Sequence, residues 1–210
     1  MKPPRSIKRK FRTKNLIEKE LKNVKSVLDV GCGRDSILKG INRPIYSVGI
    51  DYYEPYINKS KSEKIHNKYL LHDITRKLPF QENSFEVIIC TEVIEHLSKE
   101  DGLNLLNEME RVAINKVILT TPNGLMIDLH PTKEDNPEEK HISGWETDEL
   151  RELGYKVYGI DGFKFLKRDN GSYKYSPELI SQIICFLFGY LTYYFPKLSY
   201  RLYFKKELIK

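Results

Sequence analysis

Cysteine and tryptophan are both scarce in this 210-residue chain, which holds three of the first and one of the second. Cys32, Cys90 and Cys185 lie far apart and no two have metal-ligand spacing, which excludes a disulfide scaffold and a zinc knuckle. No secretory signal is expected from its opening residues. Its first residues are basic and lack an apolar segment, so a cytoplasmic setting with free thiols is expected. No internal repeat is visible. A composition 40% hydrophobic and 30% charged also excludes a disordered or fibrous chain and suits one α/β core with a modest extension.

A generally basic surface is lacking too, despite a net charge of +6. Residues 1–14 hold seven Lys or Arg and no acid, and residues 197–210 hold five against Glu207. The stretch between them carries 23 basic and 28 acidic residues. An acidic body with basic ends does not favour a nucleic-acid reader, although either end can meet phosphate or anionic lipid. Residues 1–14 read as a solvated basic tail.

From residue 15 onward, apolar runs alternate with amphipathic ones. "NLIEKELKN" predicts a helix and "SVLDV" a buried strand ending in "GCG". "SILKGI" predicts a helical segment, with Asp35 or Ser36 as its cap. "IYSVGI", "KYLLHD", "FEVIIC" and "KVILTTPN" predict four further strands. A helix over "KEDGLNLLNEMERV" places Leu103, Leu106, Met109 and Val112 on one face. "TDELRELG" predicts a helix with Thr147 as N-cap and Gly154 as stop. "YKVYGIDGFKFLKR" reads as two strands around Asp161 and Gly162. Five strand–helix alternations and a late strand pair predict an α/β fold with a Rossmann-like, doubly wound, mostly parallel sheet.

In such a sheet ligands bind beyond the carboxyl ends of the strands. Asp29 ends the first predicted strand, with Gly31 and Gly33 in the turn that follows, where a missing Cβ lets backbone approach a ligand. Asp51 ends the second and can accept the hydroxyls of a ribose. Asp73 ends the third, where it can accept from an adenine amine, with Tyr52 and Ile74 as apolar neighbours to the ring. Taken singly, each is as readily a turn or a cap; three acids at three successive strand ends are harder to read that way.

"VLDVGCG", "VGIDYY" and "LLHDITRKLPFQENSFEVIICTEVIEHL" resemble the motifs of the class I S-adenosylmethionine (SAM) dependent methyltransferases, over roughly residues 20–167. The resemblance implies a seven-stranded fold with its last strand antiparallel, and SAM as cofactor. It implies that Asp29, Gly31 and Gly33 shape the methionine pocket, that Asp51 holds the ribose, and that Asp73 with Ile74 holds the adenine. Thr91 and Glu92 would border the methionine and the sulfonium. Asp35 departs from the pattern, standing where the family carries a third glycine. A dinucleotide-binding dehydrogenase fits less well, because Ser36 stands where its fingerprint wants Gly or Ala and it requires neither Asp29 nor Asp73.

Methyl transfer to oxygen or nitrogen needs alignment and, for a hydroxyl, a base. His96, His141 and Glu95 are the catalytic candidates, His141 closing a polar loop after the fifth strand. The expected acceptor is a small molecule or a glycan-like group. Trp145 reads as a core anchor, with stacking on a sugar or base as the alternative. Glu92, Glu95 and His96, at helical spacing and with His141 as a fourth ligand, also resemble the metal site of small-RNA 2′-O-methyltransferases, so a metal-assisted RNA enzyme is one alternative. A non-catalytic scaffold of the same fold is another.

Residues 15–170 form the expected methyltransferase domain and 171–210 a C-terminal apolar and basic helical extension. From Leu179 to Pro196 the extension carries no charge. Packing on the domain or in a dimer is the plainer expectation; an interfacial helix, placing 179–206 on a membrane surface, is the other.

Overall fold

A computed structural model describes residues 5–41, 45–126 and 140–209. The strands are β1 (Ser26–Val30), β2 (Tyr46–Asp51), β3 (Lys68–Leu71), β4 (Phe85–Thr91), β5 (Ala113–Pro122), β6 (Lys156–Phe163) and β7 (Ser199–Glu207). They form one seven-stranded sheet in the order β3-β2-β1-β4-β5-β7-β6. β1 pairs in parallel with β2 and β4, β2 with β3, and β6 runs antiparallel to β7. This is the mostly parallel, doubly wound α/β arrangement expected. Its switch point lies at β1, where the order reverses, the place where open α/β sheets bind their ligands.

The helices are α1 (Arg5–Glu20), α2 (Glu54–Ser62), α3 (Lys99–Val112), α4 (Thr147–Glu152), α5 (Glu178–Leu187) and α6 (Gly189–Tyr194). The chain divides into two compact units: Met1–Thr91 with Lys99–Leu119 and Lys206–Lys210, and Glu92–Ser98 with Thr120–Lys205. In the first, Val27, Leu28, Val30, Ile50, Ile88 and Ile89 are buried, so their strands read as unbroken apolar runs, as strands covered on both faces do. α3 buries Leu105, Leu106, Met109 and Val112. Leu103 is outside that set and partly exposed. In the second unit Trp145, Leu150, Leu202, Tyr203 and Phe204 form the buried centre.

Four elements differ from the expectation. Helix α1 starts at Arg5, so residues 5–14 of the basic stretch are helical. "SILKGI" forms turns and no helix: Gly40 adopts φ +75°, which ends any helical turn. Glu146 holds the N-cap of α4, in a capping box with Glu149, and Thr147 is the first helical residue. Gly154, at φ +88°, does stop it. The fourth difference is the largest. The late strand pair is β6 with β7, 36 residues further on, and the extension is a pair of helices followed by a strand. No helix among the described residues is long and apolar enough to cross a membrane.

Candidate active site

The first unit carries the glycine turn and the strand-end acids. β1 delivers Asp29 one residue before its end, and Gly31 and Gly33 then turn the chain with φ +66° and +56°, values that strain any residue bearing a Cβ. A Cβ built on Gly33 would meet nothing within 4 Å, so open space faces this turn. Asp51 closes β2 and is buried, its Oδ2 accepting the Gly33 N–H at 2.8 Å and its Oδ1 the Tyr53 N–H at 2.9 Å. Burial pushes its carboxyl up. Each of its oxygens retains a lone pair beyond the backbone bond, which is what a ribose diol needs.

Asp29 faces inward. Ser36 Oγ donates to its Oδ2, and His66 Nε2 lies 3.4 Å from the same oxygen. Burial, with the nearby charge of Asp51, pushes the Asp29 carboxyl up to about 7 despite the Ser36 bond, and burial lowers His66 to about 4. Cys32 stands in the same enclosure, its thiol pushed up by burial. Gly49 makes room for the group: a Cβ there would come within 2.5 Å of the His66 ring and 2.9 Å of Cys32 Sγ. His66 escaped the sequence reading because it precedes β3 and belongs to no strand end. Its one signal was Gly49 in the middle of an apolar strand, which marks a close approach.

Asp73 sits beyond β3, half exposed, its Oδ1 accepting from Thr75 N and Thr75 Oγ1 at 3.0 and 2.7 Å and its Oδ2 from Arg76 Nε at 3.1 Å. These bonds hold its carboxyl below the usual range. Ile74 is buried and Tyr52 is 43% exposed. Asp35 turns outward to Lys39 at 3.6 Å, and the Arg34 guanidinium lies over the Tyr56 ring. Thr91 closes β4 in a half-buried position.

The second unit carries the titratable cluster. A short 3-10 turn over Ile94–His96 presents Glu95 and His96, and His141 joins them, one ligand atom from each lying within 4.8 Å of the others. The histidine rings meet edge-on at 4.9 Å. His96 Nδ1 lies 3.2 Å from the Lys140 carbonyl and His141 Nδ1 2.6 Å from the Met126 carbonyl. A carbonyl only accepts, so both Nδ1 atoms carry a proton, and in the neutral ring Nε2 then presents a lone pair. Thr121 Oγ1 donates to Glu95 Oε2 at 3.1 Å, and Ile142 and Ser143 donate to the Glu95 carbonyl. Burial first, then the charge of Glu92, pushes the Glu95 carboxyl up to about 8.

Glu92 does not group with these three among the described metal-ligating sets. Its backbone adopts φ +57° and its carboxylate pairs with Arg201 of β7. Asp161, at φ +65°, lies 3.7 Å from the same guanidinium. Two non-glycine residues in the left-handed region thus hold one buried cation, a strained arrangement of the kind found beside functional sites. Trp145 is fully buried, its Nε1 donating to the Ile94 carbonyl and Ser143 Oγ, so it anchors the cluster's backbone and does not face an acceptor.

Residues 28–120 match the methyltransferase-domain family. An uncharacterized protein of Methanocaldococcus jannaschii is 28% identical over 182 residues, which cover 83% of this chain and 74% of that one. A probable tRNA methyltransferase 9B of Bos taurus is 32% identical over 89 residues, 42% of this chain and 19% of that protein. The solved structure of a SAM-dependent methyltransferase from Archaeoglobus fulgidus matches with a TM-score of 0.56 at 19% identity, covering 96% of this chain and 98% of that chain. A glycine turn after β1, an acid closing β2 and an antiparallel last strand define the class of fold: a Rossmann-like, mostly parallel sheet. Over residues 28–120 the chain is similar to the methyltransferase-domain family, and its fold is the one shared by solved SAM-dependent methyltransferases.

Proposed function

We propose that this enzyme methylates oxygen or nitrogen on a small-molecule or glycan-like acceptor, with Glu95, His96 and His141 handling the acceptor's proton. The observation that carries the reading is the tautomer of the two histidines. Each spends its Nδ1 proton on a backbone carbonyl and keeps Nε2 as a base. Bound SAM would supply a methyl activated by a sulfonium. Asp51 would hold the ribose hydroxyls, Gly31 and Gly33 would admit the methionine portion, Thr91 and Glu92 would flank it, and Asp73 with Ile74 and Tyr52 would take the adenine. Asp29, turned to Ser36 and His66, would act by holding the turn in shape. As the acceptor took the methyl and S-adenosylhomocysteine left, an Nε2 of His96 or His141 would take the acceptor's proton. Such a base contributes about 10²–10⁴-fold.

A second reading rests on the same cluster. Two imidazoles and a carboxylate within 4.8 Å suit a divalent ion, and one relative is named a probable tRNA methyltransferase. In that case the acceptor is an RNA hydroxyl and the metal orients it. The acidic composition between the chain's ends favours the first reading.

Calorimetry with SAM and S-adenosylhomocysteine, on wild type and Asp51→Ala, tests the cofactor half. Binding lost in the variant supports it; a folded wild type that binds neither ligand refutes it and leaves the scaffold alternative. Transfer of labelled methyl to pools of small hydroxyl and amine compounds, oligosaccharides and RNA tests the acceptor, run with and without Mn²⁺. Metal-independent labelling of small compounds that falls about a hundredfold or more in His96→Ala supports the first reading. Mn²⁺-dependent labelling of RNA alone replaces it with the second.

A further inference from the structure

α5 and α6 are packed the wrong way round for a surface helix pair. Among the described side chains, the fully buried ones are small or polar: Ser181 and Cys185 in α5 and Thr192 in α6. Most of the described large apolar residues face outward. Leu179 and Phe195 are 58% exposed, Tyr190 is 76% exposed, and Ile180, Ile183 and Tyr194 are exposed as well. A water-facing helix normally does the reverse. The exposed side chains follow one another along a single 17-residue stretch, 179–195, which holds no charged residue. Patches of more than a few hundred Å² of this kind mark interaction surfaces on roughly any monomer.

What lies beside the face identifies its partner. The connection from β6 to α5 carries Lys164, Lys167, Arg168 and Lys174 against Asp169. It is held against α5, with Phe163, Leu166 and Cys185 in one buried cluster and Tyr173 and Ile184 packed on it. Lys164, Arg168 and Lys174 are exposed. An apolar face rimmed by cations complements an anionic interface with hydrocarbon behind it. Tyrosines suit the same boundary, with an apolar ring and a hydroxyl that stays wet; Tyr190 and Tyr194 pack ring to ring at 4.7 Å. A second copy of the chain would offer the four cations of this rim only Asp169 and Glu178 from the same segment. β7 is excluded from the surface, because Tyr200, Leu202 and Phe204 are buried in the sheet and Lys206 pairs with Glu110 at 2.7 Å.

We propose that the outward face of α5 and α6, with the basic connection beside it, docks this protein on an anionic lipid bilayer. The face lies flat on the membrane; 10 and 6 residues are too short to cross it. Docking of this kind delivers the enzyme to an acceptor that resides in or on the membrane.

Flotation of the full-length protein with phosphatidylcholine vesicles, with and without phosphatidylglycerol, tests this, beside Ile183→Ser, Tyr190→Ser and Lys174→Glu. All three residues are at the surface, and unchanged circular dichroism checks that each variant is folded. Binding to the anionic vesicles is expected, weakened by salt and by Lys174→Glu. Ile183→Ser and Tyr190→Ser should each reduce the partition coefficient about tenfold, from the apolar area they withdraw. No binding, binding indifferent to lipid charge, or binding that survives both serine variants overturns the proposal. So does sedimentation velocity showing a lipid-free dimer that the serine variants dissociate, for the face then belongs to a second copy.

Discussion

His66→Gln should uncover a pH dependence of stability that the native protein cancels. Between about pH 4 and 6.5 the unfolded chain carries Asp29 ionised, with an ordinary value of 3.8, and His66 protonated, with an ordinary value of 6.5. The two groups together bind one proton. The folded chain also binds one, because Asp29 is raised to about 7 and His66 lowered to about 4. Folding therefore takes up and releases nothing at this pair, and the pair adds no slope to stability against pH. The same holds if the folded proton rides on His66 as an ion pair across 3.4 Å. Remove the imidazole and the balance breaks. Native Asp29 then holds a proton that the unfolded chain lacks, so stability falls as pH rises from about 4 to about 7. The slope is about 1.4 kcal/mol per pH unit, and the whole loss at most about 4 kcal/mol. Asp29→Asn does the opposite. Folded His66 stays neutral where the unfolded chain protonates it, so stability rises by up to about 3 kcal/mol between pH 4 and 6.5. Urea denaturation of the three proteins across this range, read as differences from wild type, removes the slopes contributed by other carboxylates. A His66→Gln curve parallel to wild type, or both variants sloping the same way, would refute the shared proton.

Two further substitutions probe packing and charge. Gly49→Ala should cost about 2–3 kcal/mol in urea denaturation, because its Cβ meets the buried His66 ring and Cys32 Sγ at 2.5 and 2.9 Å; an unchanged midpoint would refute that enclosure. Arg201→Met takes the cation from between two carboxylates of the second unit and should cost about 3–5 kcal/mol. Combining it with Glu92→Gln should recover part of that loss, and strict additivity of the two changes would deny that the pair is coupled.

The first half of the fold was legible because each of its signals is local. β1, β2 and β4 are continuous apolar runs stopped by Gly or Asp, and the strand-end acids follow from that pattern without knowledge of the partners. Local reading went wrong where the outcome depends on what a segment packs against. Asp29 stands where it was expected in sequence, yet its carboxylate turns to Ser36 and His66, and His66 lies 37 residues away on a loop. No spacing rule joins them. Likewise Glu95, His96 and His141 were foreseen as a group, while the carbonyls that set the two histidine tautomers depend on how the chain near Met126 and Lys140 returns to them.

β7 shows why the C-terminal strand was harder. "SYRLYFKKE" counts as basic, and a basic run after an apolar one reads as a surface segment. Arg201 is buried all the same, since Glu92 and Asp161 neutralise it. Those two partners are acids 109 and 40 residues earlier, each held at a positive φ that its residue type does not predict. Charge in a sequence is a property of one residue; burial of charge is a property of a pair. The strand could be recognised only once its counter-ions were placed, and with the strand placed, the exposed apolar residues of α5 and α6 have no strand or core of their own to fill. What is left exposed there is a face the fold itself does not use, and the physical case for an external partner rests on that remainder.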